Sequence, residues 1–477
     1  MSRDDQKAPI QQPSTLKVKK GQDVELTIES LAYGGKGIAR LDGLTVFVER
    51  TLPGQRVLAR IYKKKKSFAE AYPREILEKA SNEIEPRCPA FGTCGGCRLQ
   101  NWDYEDQLNE KTIQVRDLIQ RTGGFTDFEV PRALPSEQVF HYRNKMEFTF
   151  TDNPWRTHPA DEPEPMGLGQ HIPGRYDKVV HLDDCFLQKE IMTEIMRFVF
   201  SYAKEHDWEA YNTRSHQGYA RNLVLRYGEH TDEIMVNLVT RTYEKQRMQE
   251  FKGALLAEFP QITTIVNNIT TRLSGVAVGE REVVLHGSGI IRDRLGDHEF
   301  EISANAFFQT NTRQAERLYE EALKGADLQG GEVVYDLYCG TGTIALFMAK
   351  KARKVYGFEL IADAVENAKK NAAAQGVENV EFIKGDLKDV LSQETQRIEK
   401  ADVIVVDPPR AGLHLNVVKE IMRVAPERLV YVSCNPATLA RDLQLFCEEH
   451  YELKLLQPVD MFPHTNHIEA VAHLIKR

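Results

Sequence analysis

The chain has 477 residues, of which 42% are hydrophobic, and its mean hydropathy is −0.44. This length allows about two to four domains, and the apolar fraction is sufficient for ordinary buried cores, which excludes wholesale disorder. No uninterrupted apolar run approaches the ~20 residues that a bilayer requires, and charge and proline at the N-terminus are atypical of a signal peptide. We therefore expect a cytoplasmic protein without a membrane partner.

Charge is unevenly distributed along the chain. The net charge is −8, from 62 basic and 70 acidic residues, which alone argues against a nucleic-acid partner. Residues 15–80 nevertheless hold 14 Lys and Arg against 8 Asp and Glu, a balance of +6. Because residues 1–14 are neutral overall, the remaining chain carries −14. The sequence thus joins a basic module to an acidic body.

The basic module follows a polar, proline-containing segment, residues 1–14, which predicts a flexible tail. From there the segments VELTIESL, LTVFVER and QRVLARIYK alternate apolar and polar residues, with the turn signals YGGKG, LDG and LPG between them. This pattern predicts a small β-barrel of the oligonucleotide-binding type over residues 15–80. The run Lys63–Lys66 beside Phe68 and Tyr72 is either a solvated strand end or an RNA contact.

Residues 81–292 have a mixed pattern, which predicts a central α+β domain. Apolar residues recur at helical spacing within Tyr104–Gly123, and Gly123 and Gly124 end that helix. The segment Asp152–Pro165 is rich in proline and charge and predicts an exposed loop or insertion.

Seven cysteines, an odd number, in a chain without an export signal do not indicate a disulfide framework. Cys88, Cys94 and Cys97 lie within ten residues, and Cys185 lies far downstream. Three clustered thiolates and one distant partner can complete a four-thiolate site for zinc or an iron–sulfur cluster. The spacing alone does not choose the metal.

Residues 293–477 have the most regular pattern. Strand-like segments alternate there with helix-like ones, which predicts an α/β domain with a Rossmann-like parallel sheet. Ligands of such sheets bind at the carboxyl ends of the strands. The predicted strands are VVYDLY (333–338), KVYGFE (354–359), VEFIK (380–384), DVIVVD (402–407) and RLVYVS (428–433).

A glycine-rich loop, with Gly340 and Gly342, directly follows the first of these strands. Glu359 at the end of the next strand can accept hydrogen bonds from ribose hydroxyls. The loop lacks the full G-x-G-x-x-G spacing, which disfavours NAD and suits S-adenosylmethionine, although a plain turn has the same sequence signature. Asp386 and Tyr338 are candidates for contacts with the adenine side, or for simple packing.

The segment Asp407-Pro-Pro-Arg410 ends the fourth strand. Two prolines stiffen the chain there and present Asp407 and Arg410 rigidly. Amino-methyltransferases use an acidic or amide residue before two prolines to hold an exocyclic amine, but an aromatic residue usually follows. Arg410 makes such a substrate less favoured.

Cys434 ends the fifth strand, where the next helix begins, so we expect backbone amides and the helix dipole to favour its thiolate. A thiolate beside a methyl donor suits methylation of pyrimidine carbon 5. Addition of sulfur to carbon 6 creates an enolate that attacks the methyl group, and a base then removes the proton from carbon 5. Glu469 is the candidate base, with His464 and His467 as rivals.

These motifs resemble those of the RNA (uracil-5-)-methyltransferases, most closely the iron–sulfur members that act on 23S ribosomal RNA. The resemblance covers nearly the whole chain. It extends from a barrel similar to a TRAM domain, through CPAFGTCGGC and Cys185, to QTN, DLYCGTG, DPPR, VSCNP and DMFPHTNHIE in that order.

The resemblance implies a nucleophile at Cys434, a base at Glu469 and a four-iron four-sulfur cluster. The cluster would be held by Cys88, Cys94, Cys97 and Cys185, and S-adenosylmethionine would be bound by Gln309, Tyr338, Glu359, Asp386 and Asp407. It also implies that the helix in segment 103–124 packs on the catalytic domain, residues 293–477.

The predicted function is methylation of carbon 5 of a specific uridine in 23S rRNA by a monomeric enzyme. The alternatives are a tRNA uracil-5-methyltransferase, an RNA cytosine-5-methyltransferase, and a noncatalytic RNA-binding protein that uses the cluster as a redox sensor. Cytosine-5 enzymes resemble one another in carrying a cysteine after an Asp-x-Pro motif, where this chain has Arg410.

Overall fold

The structure is a computed structural model that describes residues 18–157, 162, 164–273, 275–394 and 397–477. The predicted tail, residues 1–14, and part of the predicted loop at 152–165 lie outside the described residues. Among the described helices, none is long and apolar enough to cross a membrane. The chain divides into two compact units, one ending at Ile84 and the other spanning Glu85–Arg477.

The first unit is a six-stranded sheet in the order β1-β5-β6-β4-β3-β2. Only the β4–β6 pair is parallel, and alternate residues of the strands point into one apolar core. Three irregularities in the long β5–β6 pair increase its twist and help the sheet to curl. The strands are β1 (Asp23–Thr27), β2 (Ser30–Leu31), β3 (Gly37–Leu41), β4 (Leu44–Val48), β5 (Arg56–Lys64) and β6 (Phe68–Glu78).

The second unit begins with helix α1 (Tyr104–Arg121) and a seven-stranded sheet in the order β13-β12-β11-β10-β7-β8-β9. Helices α2 (Glu190–Glu205) and α3 (Lys245–Glu258) pack their apolar residues into the core of this sheet. The strands are β7 (Lys145–Thr151), β8 (Gly167–His171), β9 (Val179–His181), β10 (Ala220–Tyr227), β11 (Ile234–Thr240), β12 (Thr264–Ile269) and β13 (Arg281–His286).

The hairpin of β14 (Ile290–Leu295) and β15 (His298–Ser303) leads into helix α4 (Thr312–Ala326). The apolar residues of both belong to the core that surrounds the C-terminal sheet, and Met235 and Val266 of the preceding sheet join the same core. These two residues therefore pack into the C-terminal core, whereas most apolar residues of the preceding sheet form a separate core with α2 and α3. The domain boundary at residue 293 stays a prediction.

The C-terminal sheet has seven strands in the order β18-β17-β16-β19-β20-β22-β21. Strands β16 to β20 are parallel, whereas β22 is antiparallel to both of its neighbours. The strands are β16 (Val333–Leu337), β17 (Lys354–Glu359), β18 (Val380–Lys384), β19 (Val403–Val406), β20 (Arg428–Ser433), β21 (Tyr451–Val459) and β22 (Glu469–Lys476). The helices are α5 (Thr343–Ala349), α6 (Ala362–Ala374), α7 (Leu387–Glu394), α8 (Leu415–Val424) and α9 (Pro436–Cys447).

Helix α1 contacts the C-terminal region, although more than 300 residues separate them in sequence. The Lys111 ammonium lies 2.6 Å from a carboxylate oxygen of Asp460, and both side chains are buried. The Tyr104 hydroxyl donates to the same carboxylate at 3.0 Å. Breaking a buried ion pair on one side leaves an uncompensated charge, so this pair fixes α1 against the end of β21.

Candidate active site

The candidate site lies at the carboxyl edge of the C-terminal sheet. Tyr338, Asp407 and Cys434 each directly follow a parallel strand, namely β16, β19 and β20. Strand β22 runs in the opposite direction, so its first residue, Glu469, lies at the same edge. Ser433 pairs with Ala470, and continuing this register by one residue brings Cys434 next to Glu469. Strand direction and register therefore bring thiol and carboxylate together.

A cavity of about 380 Å³ opens at this edge. It contains five of the residues predicted for catalysis and cofactor binding: Gln309, Tyr338, Asp407, Cys434 and Glu469. Aromatic walls complete it on the side of the Phe307–Gln309 segment and at Phe462. Such a cavity is large enough to hold part of a small cofactor together with a flipped base.

The glycine-rich loop borders the cavity in a conformation that demands its residue types. Gly342 has a φ of +84°, and a Cβ there would lie 2.8 Å from the Phe382 ring. Tyr338 also has a positive φ, +67°, which is rare for a bulky residue and concentrates at functional sites. The loop is therefore held in a strained shape at the cavity rim.

Glu359 and Asp386, the other two predicted cofactor contacts, are not among the residues that line this cavity. The Glu359 carboxylate accepts hydrogen bonds from the backbone amides of Gly340, at 3.1 Å, and Ile361, at 2.8 Å. Asp386 accepts a hydrogen bond from the backbone amide of Lys388 at 3.1 Å, close to the start of α7. Glu359 thus contacts the loop itself, whereas Asp386 lies at the end of the neighbouring strand β18.

Buried carboxyl groups give the cavity its electrostatic character. Burial raises the pKa of Asp407 to about 7, and burial together with the charge of Asp407 raises the pKa of Glu469 and of Asp336 well above the usual range. Arg410 opposes this effect at Glu469. Because Asp407 and Glu469 share one desolvated cavity, a cationic ligand there would stabilise their ionised forms.

The Cys434 thiol differs from the expectation that it is already a thiolate. Burial, reinforced by the charges of Glu469 and Asp407, raises its pKa to about 11, although Arg410 acts in the opposite direction. The helix that begins beside it does not offset desolvation and two neighbouring acids. Without a ligand in the cavity, the thiol is protonated at neutral pH.

The two histidines proposed as rival bases are not among the residues that line the catalytic cavity. The buried His464 ring packs against Phe140, with ring centroids 4.4 Å apart, and contacts Gln107. His467 lines a different cavity, which the cysteines share. Burial lowers the pKa of each histidine to about 4, so both are neutral at physiological pH. Of the three candidate bases, Glu469 is the one that lines the cavity with Cys434.

The four cysteines predicted to bind metal line one cavity of about 220 Å³. The Gly96 amide donates to Cys94 Sγ at 3.4 Å, and the Gln100 side-chain amide donates to Cys97 Sγ at 3.2 Å. Burial raises the pKa of each of the four thiols, Cys88, Cys94, Cys97 and Cys185. Within the ranges that the structure describes, no three His, Cys, Asp or Glu side chains converge closely enough to hold a single metal ion.

Spacing arguments missed the aromatic side of the catalytic cavity. Phe307 and Phe308 precede Gln309 in a loop, Tyr319 projects from α4, and Phe462 follows β21. Phe307 is 70% exposed, which is unusual for this residue type. No strand end or glycine pattern marks these positions, and Gln309 itself was identified only from the family resemblance.

Comparison with known proteins places this geometry in a family. A family model described as tRNA (Uracil-5-)-methyltransferase matches residues 231–477, and a TRAM domain model matches residues 17–73. An uncharacterised RNA methyltransferase of Chlorobaculum tepidum is 42% identical over 475 residues, which cover 97% of this chain and 98% of the relative. A second one, from Halalkalibacterium halodurans, is 39% identical over 96% of this chain and 98% of its own length.

Among solved structures, this chain is similar to the Pyrococcus abyssi tRNA (uracil-54, C5)-methyltransferase in complex with S-adenosyl-L-homocysteine. The TM-score is 0.75 and the identity 29%, over 94% of this chain and 99% of that protein. These matches confirm the predicted family and the mixed α/β methyltransferase fold with an N-terminal TRAM domain. The chain belongs to the S-adenosylmethionine-dependent RNA (uracil-5-)-methyltransferase family.

Proposed function

We propose that the protein methylates carbon 5 of a uridine in RNA through a transient bond between Cys434 Sγ and carbon 6 of the base. The observation that carries this proposal is the placement of Cys434 and Glu469 in one cavity, next to each other at the edge of β20 and β22. A nucleophile and a base must act on adjacent atoms of one ring, and this arrangement supplies both.

S-adenosylmethionine, when bound, supplies an electrophilic methyl group and a positive charge. We propose that Gln309, Tyr338 and Asp407 hold it from inside the cavity, and that Glu359 and Asp386 contact it from the neighbouring strand ends. The buried acids support this assignment because a cation compensates them. The same charge would lower the pKa of Cys434, so that the nucleophile forms when the donor is present.

The residues then act in sequence. The Cys434 thiol loses its proton to water, and its sulfur bonds to carbon 6, which moves electron density onto carbon 5 and the carbonyl oxygen at carbon 4. Carbon 5 attacks the methyl group, whose bond to the sulfonium sulfur breaks, so that S-adenosylhomocysteine is the leaving group. Glu469, as a carboxylate, removes the proton from carbon 5, and the bond between sulfur and carbon 6 breaks as the double bond re-forms. The uridine must leave its stack to enter the cavity.

The RNA substrate has two candidates. The family resemblance in the motifs favours 23S rRNA, whereas the Pyrococcus abyssi protein of similar structure acts on tRNA. The chemistry at carbon 5 is the same in both molecules. The TRAM domain has an excess of positive charge, so it would supply much of the binding to RNA phosphates in either case.

We also propose that Cys88, Cys94, Cys97 and Cys185 hold a four-iron four-sulfur cluster. Each thiolate of such a cluster binds a different iron, so the four sulfurs need not converge on one point as they must for zinc. Two N–H groups already donate to cysteine sulfurs in this cavity, as is typical of iron–sulfur sites. The cavity that the four cysteines share, about 220 Å³, also offers more room than a single metal ion requires, which supports the cluster over zinc.

Replacing the nucleophile tests the proposed function. Cys434→Ala should lower methyl transfer at least about a thousandfold, because the enolate no longer forms. Methylated uridine should be mapped in rRNA and tRNA from cells that lack the protein and carry either the wild type or this variant. Cys447→Ala, a buried cysteine in α9, is the matched control and should retain activity.

Only the wild type and the control should then restore 5-methyluridine. The RNA in which the restored nucleoside is found, rRNA or tRNA, identifies the substrate. Restoration by Cys434→Ala would contradict the covalent mechanism. Appearance of 5-methylcytidine in place of 5-methyluridine would favour the cytosine-5 alternative, and no change in either nucleoside would favour the noncatalytic one.

The raised pKa of Cys434 predicts a pH dependence. Only the thiolate reacts with iodoacetamide, so alkylation of Cys434 in the cofactor-free protein should accelerate about tenfold per pH unit between about pH 7 and 9. The sign follows from burial, which stabilises the neutral thiol and delays ionisation to higher pH. Peptide mass spectrometry would follow this cysteine alone, and a rate that levels off below about pH 8 would contradict the account.

The cluster assignment predicts iron and sulfide in protein purified without oxygen. About four of each per chain are expected in the wild type, and Cys97→Ala should lose most of both. The Cys447→Ala variant serves again as the control and should keep them. Zinc in stoichiometric amount, or iron content unaffected by Cys97→Ala, would show the assignment to be wrong.

A further inference from the structure

One loop lines both the catalytic cavity and the cysteine cavity. It runs from Asp460 to Ile468 between β21 and β22, and we call it the wall loop. Phe462 lines the catalytic cavity, whereas Thr465 and His467 line the cysteine cavity. Glu469 directly follows the wall loop. The shape of this loop therefore bears on both sites.

The centre of the wall loop has a backbone conformation that must be held from outside. His464 has a φ of +65°, in the left-handed region that β-carbon-bearing residues disfavour. Its carbonyl accepts hydrogen bonds from the backbone amides of Arg98, at 2.8 Å, and Leu99, at 3.0 Å. Arg98 directly follows Cys97, a predicted cluster ligand. The segment of residues 97–102, which we call the cysteine turn, is therefore bonded to the wall loop.

The fully buried side chain of Gln107, on helix α1, bonds to both the wall loop and the cysteine turn. Its oxygen accepts a hydrogen bond from the His464 backbone amide at 3.0 Å, and its nitrogen lies 3.2 Å from His464 Nδ1. The same nitrogen donates to the carbonyls of Leu99, at 2.9 Å, and Trp102, at 2.8 Å. One amide group therefore bridges α1, the cysteine turn and the wall loop.

Other anchors of the wall loop come from several parts of the chain, among them Asn311, whose side-chain amide donates to the Met461 carbonyl at 3.0 Å. Lys111 pairs with Asp460, and the Tyr142 hydroxyl donates to the carbonyl of Pro463 at 3.0 Å. These contacts fix the beginning and the middle of the loop. Gln107 differs from them because it alone, among the described side chains with a recorded hydrogen bond, bonds to both the His464 backbone and the cysteine turn.

We propose that Gln107 is a positioning residue that locks the wall loop to the cysteine turn and thereby holds Glu469 in place for proton abstraction. The proposal rests on the proposed function, since it assigns Glu469 the role of base. Cys434 lies on a separate element, between β20 and α9, so the lock acts mainly on the step that Glu469 performs. Loss of the lock should slow elimination more than addition.

The test compares Gln107→Met with Gln114→Met. Methionine has a similar length and no amide, so the first change removes the bridge while filling its space. Gln114 is a buried glutamine of the same helix whose side-chain oxygen accepts no hydrogen bond from any described residue. Both variants would be studied as full chains with their metal content measured.

Four measurements separate positioning from a general loss of structure. In Gln107→Met, kcat should fall about 10- to 100-fold, as is typical of small misplacements of a reacting group. S-adenosylhomocysteine affinity should stay within about twofold, since its proposed contacts lie on other elements. Covalent RNA–protein complex with ordinary uridine RNA should accumulate, because addition outpaces elimination. Amides of residues 461–468 should exchange hydrogen faster than in the Gln114→Met control.

Unchanged exchange at these amides, or a loss of kcat without accumulation of the complex, would overturn the proposal. If wild-type protein makes no 5-methyluridine yet Gln107→Met still speeds exchange, the proposed function fails while the lock between the segments stands. If Gln107→Met does not fold, Gln107→Asn decides, because asparagine keeps an amide but is one methylene too short to bond to His464, Leu99 and Trp102 together. It should give the same signature with a smaller amplitude, and wild-type behaviour would refute the lock.

Discussion

The reversal of one strand is the constraint on which the site depends. In a fully parallel sheet the residue that follows β20 would have only other strand ends as neighbours. Because β22 is antiparallel and lies next to β20, the first residue of β22 reaches the same edge. Backbone pairing therefore brings Cys434 and Glu469 to the same edge, and the proposed lock on the wall loop then holds Glu469 in its working position. Side chains placed by strand register are held more precisely than those on loops.

Desolvation raises the pKa of both Cys434 and Glu469. The cavity holds the Cys434 thiol with two carboxyl groups, Asp407 and Glu469, and the charges of both oppose ionisation of the thiol. Such an arrangement is unreactive without a ligand and becomes reactive when positive charge enters. A methyl donor that is itself a cation supplies that charge only when methylation is possible. In the proposed mechanism, the electrostatics would thus couple nucleophile formation to the presence of the donor.

The sequence predicted much of the C-terminal region because its signals are local. Apolar runs identified the parallel strands, and Asp407 and Cys434 stood at strand ends where ligands bind. The state of the Cys434 thiol could not be predicted, because it depends on burial and on acids that are distant in sequence. The contacts of Gln107 and Lys111 could not be predicted for the same reason, since more than 300 residues separate the bonded groups. Only tertiary packing brings them together.

Trapping of the covalent intermediate tests the central claim most directly. A base can remove a proton from carbon 5 of uridine but cannot remove a fluorine there. RNA with 5-fluorouridine at the target position should therefore remain bonded to the protein after methyl transfer. Mass spectrometry of the digested complex should locate the nucleotide on Cys434, with the added methyl group and only when S-adenosylmethionine is present. A linkage at another residue, or methyl transfer to ordinary RNA without any trapped complex from the fluorinated RNA, would contradict the account.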